Sequence, residues 1–107
     1  MTKALVEGYH DNREEWEELR EKVRAAQLEQ PEEVFPLGME AHRRLLQLAE
    51  SLERAQAFAE SLPFGKRKLV QAVMKHGTRW DVIRRELHSY KSSDALRKEY
   101  NRIFKKF

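Results

Sequence analysis

Three prolines divide this chain, and they do so at only two places. Pro31 and Pro36 flank one short connector, and Pro63 stands alone further on. Proline lacks the amide proton a helix interior needs, and its ring clashes with the preceding turn, so a regular helix stops at each place. Between the breaks, apolar residues recur at steps of three and four, the spacing of one helix face. The chain reads as all-α, with helix lengths dictated by the breaks.

Residues 1–10 carry little pattern, and Gly8 would weaken a helix there, so a frayed or loosely docked leader is expected. Asp11 or Asn12 can cap a helix that has Glu14 and Glu15 in its first turn. Trp16, Leu19, Val23 and Ala26 mark that helix as amphipathic over residues 12–29. After the connector EQPEEVFPLG, a longer helix is expected from Leu37 or Gly38 to Leu62. Its stripe is Leu45, Leu48, Leu52, Ala55, Ala59 and Leu62, widened by Leu46, Ala49 and Phe58. The two helices should form an antiparallel hairpin, which needs a further surface to cover its stripes.

Past Pro63 the helices shorten. Leu69, Val70, Val73 and Met74 make one face of a helix ended by Gly77. Thr78, with Asp81 three residues on, resembles a capping box for a helix presenting Trp80, Ile83 and Leu87. Ser92 or Ser93 caps a last helix whose inner face is Leu96, Tyr100, Ile103, Phe104 and Phe107. The expected architecture is thus a five-helix domain, a hairpin over residues 1–63 packed on a three-helix segment over 64–107.

The length of 107 residues suits one domain, or a small domain with an appendage. No cysteine is present, which removes disulfides and thiolate chemistry. No window approaches the run of about 18 apolar residues that a membrane span requires. The opening MTKALVEGYHDNREE lacks the apolar stretch of a secretory signal, so an intracellular location is expected.

Charge is distributed very unevenly. Residues 64–107 hold 13 Lys or Arg against 4 Asp or Glu, whereas residues 1–63 hold 8 against 14. Stepping the last helix at about 100° per residue sets Ala95, Lys98, Asn101, Arg102 and Lys105 opposite its apolar side, with Arg97 and Lys106 at the flanks. A helix with such a face fits a B-form major groove, where Arg, Lys and Asn can meet base edges or phosphates. Lys66, Arg67, Lys68 and Lys75 on the first helix of the segment, and Arg84 and Arg85 on the second, could follow phosphates on either side. The plainer reading of any such helix is a solvated basic face.

Val73, Lys75-His76-Gly77, Arg79-Trp80-Asp81-Val82-Ile83, Leu87 and the stretch SSDALRKEY from Ser92 to Tyr100 together resemble a Myb/SANT-type repeat, a three-helix relative of the helix-turn-helix proteins. In that family three bulky aromatics form the core; Trp80 and Tyr100 match the second and third. The first falls to Phe64, sixteen residues before Trp80, and the family's acidic opening is replaced by Lys66-Arg67-Lys68. The resemblance implies a third helix that reads duplex DNA, in transcription or chromatin regulation and in the nucleus, as part of a larger protein. The nucleic-acid-facing residues would be Lys98, Asn101, Arg102 and Lys105, with Arg97, Lys66, Lys68 and Arg84 as further contacts. SANT relatives instead contact histone tails or other chromatin proteins, which is the alternative expectation.

His10, His42, His76 and His88 fall in different elements and never pair at a ligand spacing, so no metal site is expected from them. The glutamates around Glu14, Glu17, Glu18 and Glu21 read as a solvated face, and no glycine-rich phosphate loop appears. An enzyme, a cofactor, a small-molecule substrate and a membrane partner are not expected. The acidic first half is read as a brace that completes the core, or else as a docking face, on those four glutamates, for a basic partner.

Overall fold

The computed structural model describes residues 2–105, and within them every regular element is helical. The elements are α1 (Thr2–Glu7), α2 (Tyr9–Glu29), α3 (Met39–Glu60), α4 (Phe64–His76), α5 (Trp80–Glu86) and α6 (Ser93–Phe104). The described residues form six helices where five were expected.

The additional helix is α1, and it corrects the expectation of a loose leader. Val6 is fully buried, and Leu5 and Tyr9 pack beside it against the core. Gly8 does not break the chain here. Its N–H donates to the Ala4 carbonyl and its carbonyl accepts from Asn12, both at 2.9 Å, so the hydrogen-bond ladder passes through the bend. Asp11 and Asn12 lie inside α2 for this reason and do not cap it.

α2 and α3 run antiparallel, as Tyr9 meets Gln56 near one end while Glu15 meets Arg44 further along. Pro31 and Pro36 lie in the connector, as the breaks require, and α3 begins just after Gly38, whose φ of +92° suits glycine alone. α4 ends at Gly77, φ +67°, whose N–H closes on the Val73 carbonyl at 2.7 Å. Thr78 does not build a capping box. Arg79 occupies the N-cap of α5, with no side chain satisfying the first amides. Ser92 does cap α6, its Oγ accepting from the Ala95 N–H at 3.1 Å.

One core spans both halves of the chain. Val6, Ala55, Ala59 and Leu62 meet Leu69, Val70, Val73, Ile83, Leu96, Tyr100 and Ile103. Tyr100 is its hub, with Trp80 at 5.3 Å and Phe104 at 5.0 Å between ring centroids, and Phe58 stacked on Phe104 at 5.2 Å. Phe64 does not join them. It is the first residue of α4 and 71% exposed, with the Lys68 ammonium 5.5 Å from its ring centre. Phe107, expected on the inner face, lies outside the described residues.

The core covers only the base of the hairpin. α2 contributes no buried residue, and Leu46, expected to widen the stripe of α3, is 60% exposed. The molecule measures 56 × 27 × 18 Å, and its radius of gyration of 17.2 Å exceeds the roughly 13 Å of a compact chain this long. A two-helix arm therefore projects from a small helical body.

Candidate nucleic-acid interface

α6 is positioned by its inner side. Leu96, Tyr100 and Ile103 are buried, and the Tyr100 hydroxyl donates to Glu7 Oε2 at 3.1 Å, so the helix is held from both halves of the chain. Burial, and then the Glu7 carboxylate beside it, push the Tyr100 phenol well above its ordinary value. With that side fixed, the opposite side must face solvent.

The outward side carries the residues expected there. Lys98, Arg102 and Lys105 are exposed, Asn101 is half-buried, and the four line one surface depression. Lys106 lies outside the described residues. No carboxylate of the leading helices reaches this ridge among the described residues; Glu15 is engaged by Arg44 and Glu17 by Arg13.

Some of the positive charge is spoken for locally. Asp94 accepts from Arg97 at 2.6 Å and meets the Lys98 ammonium at 3.2 Å, and these cations hold its carboxyl below the usual range. Arg102 and Lys105 form no ion pair among the described residues. They are the cations of this face most available to an anion.

The outlying candidates scatter. Arg84 uses its Nε to donate to the Lys91 carbonyl at 2.9 Å, fastening α5 to the turn before α6. Lys68 lies across a groove from Glu99 and Leu96, its ammonium 5.5 Å from the Phe64 ring centre. Lys66 is exposed on the opening turn of α4. Among the other cations considered, Arg67 donates to the Leu62 carbonyl and closes the end of α3, while Lys75 pairs with Glu86 at 2.7 Å. Lys91, which charge counting did not single out, pairs with Glu99 at 2.7 Å, and that carboxylate raises its pKa. Tyr90, 93% exposed, flanks the same groove. The pairing at Asp94 was within reach of the sequence, since its partners sit three and four residues on.

His10, Asp11 and Glu14 do bring one ligand-type atom each within 4.8 Å of one another, although the four histidines never approach a shared site by spacing. All three are exposed on one turn of α2, and His10 already lies 3.7 Å from Glu14. No described helix is long and apolar enough to cross a membrane.

Compared with known proteins, the chain matches no family model, no curated protein and no solved structure.

Proposed function

We propose that this domain binds duplex DNA through the outward side of α6, in a transcriptional or chromatin setting. The observation that carries the reading is the exposed row Lys98, Asn101, Arg102 and Lys105, backed by a buried inner face and out of reach of the acidic arm. Arg102 and Lys105 would take phosphates, and Asn101 has the donor and acceptor needed at a base edge. The Myb/SANT resemblance of residues 64–107 supports the same helix as the groove reader.

Titration of labelled duplex at two salt concentrations tests it. Affinity should fall steeply with salt, and Arg102→Glu with Lys105→Glu should abolish binding without unfolding the domain. Asp94→Asn, which frees Arg97 and Lys98, should tighten binding. Negligible or salt-indifferent affinity removes the proposal.

Asp94 itself favours a second reading. By pairing with two of the cations it lowers the ridge's charge by one and leaves a weaker positive surface suited also to an acidic protein, as in a SANT-type subunit contact. A partner retained from nuclease-treated extract, and lost with the Arg102 and Lys105 substitutions, would favour that module over DNA binding.

A further inference from the structure

The far end of the arm, formed by the end of α2, the connector and the start of α3, has a composition of its own. Six of the eight large apolar side chains found exposed among the described residues lie there or just beyond: Leu28, Val34, Phe35, Leu37, Met39 and Leu46. Met39 and Leu46, seven residues apart, share one side of α3. No Lys or Arg occurs between Arg24 and Arg43, while Glu29, Glu32, Glu33 and Glu40 do. All four carboxylates are exposed, and none forms an ion pair among the described residues.

The connector that displays these side chains is internally braced. The Gln27 amide donates to the carbonyls of Pro31 at 3.1 Å and Glu33 at 3.0 Å. The Gly38 N–H donates to the Phe35 carbonyl at 2.8 Å, and the Phe35 ring stands edge-on to His42 at 5.1 Å. The carbonyls of Gln30, Pro31, Glu33 and Phe35 all accept within the loop, and Val34 is left 77% exposed. Exposed apolar side chains gathered beside unpaired carboxylates mark a protein contact, with Arg43, between Met39 and Leu46 on α3, as the basic boundary of this acidic tip.

We propose that this tip is a docking site for a cationic amphipathic helix of another protein. Charge complementarity selects the occupant: apolar side chains are needed to cover Val34, Leu37 and Met39, and Lys or Arg to meet the four unpaired carboxylates. A nucleic acid would be repelled by those carboxylates. A second tip would bring four carboxylates against four. The chain's own basic helices sit at the opposite end of α2, about 31 Å of helix away, so they cannot fold back onto it. The site is independent of the α6 ridge and stands whether or not that ridge binds DNA.

The test uses the full chain and two labelled designed peptides of about 18 residues, one Leu/Lys and one Leu/Glu, each with leucine at helical spacing. Fluorescence anisotropy should show saturable binding of the Leu/Lys peptide and none of the Leu/Glu peptide. Val34→Ser with Leu37→Ser, and separately Glu32→Lys with Glu33→Lys, should each weaken binding by about tenfold or more. Glu18→Lys on the shaft of α2, and Arg102→Glu on α6, should leave it unchanged. These tip residues are exposed, so circular dichroism should show the helices intact. Absent binding, or binding that the shaft substitution weakens as much as the tip ones, overturns the proposal. So does sedimentation showing a dimer that the tip substitutions dissolve, because a second copy would then be the occupant.

Discussion

Tyr100 ties the last helix to both halves of this fold. It is buried, it touches two aromatic rings, and its hydroxyl is spent on Glu7 from the other end of the chain. Tyr100→Phe keeps the packing and strands a partly buried carboxylate, so it should cost about 1–3 kcal/mol in urea denaturation. The phenol also predicts a pH dependence. Below about pH 10 both folded and unfolded chains keep the proton, and the bond to Glu7 contributes in full. Above it the unfolded chain ionises first while buried Tyr100 stays protonated, so stability falls as pH rises. Denaturation midpoints between pH 8 and about 11 should decline for the native sequence and decline less for Tyr100→Phe.

Among the elements, the three beyond Pro63 were the most legible. Leu69, Val70, Val73 and Met74 are buried as their spacing requires, and Leu96, Tyr100 and Ile103 follow the same rule. The outward row of α6 was readable for the same reason: a helix with one apolar side has only one other side to show. α1 was not readable. Six residues are under two turns, too few for a period to register, and its one buried residue finds partners remote in sequence. Val6→Ala tests whether α1 is structural. It should lower stability by about 2 kcal/mol, and a change near zero would return the segment to a loose leader. Leu46 misled for a different reason, since a stripe announces an apolar face without saying whether anything lies against it.

For the whole molecule, the division that matters runs across the hairpin rather than at Pro63. The base of α3 shares its core with α4 and α6, and the rest of the arm has only the other helix for company. Amide exchange should reflect this division. Protection in α4 and in the second half of α3 should match global unfolding, while amides from Ala25 to Leu46 exchange through local opening. Equal protection along the arm would mean that the hairpin tip is covered in solution.

The bond between Glu7 and Tyr100 joins residues 93 positions apart, which bears on how the chain assembles on a ribosome. α1 leaves the exit tunnel before the elements it packs on, and meets no partner for its buried valine until α3 and none for its carboxylate until α6 emerges. The fold is therefore sealed only once α6 has emerged, and a chain stalled before residue 100 would present an open core to chaperones.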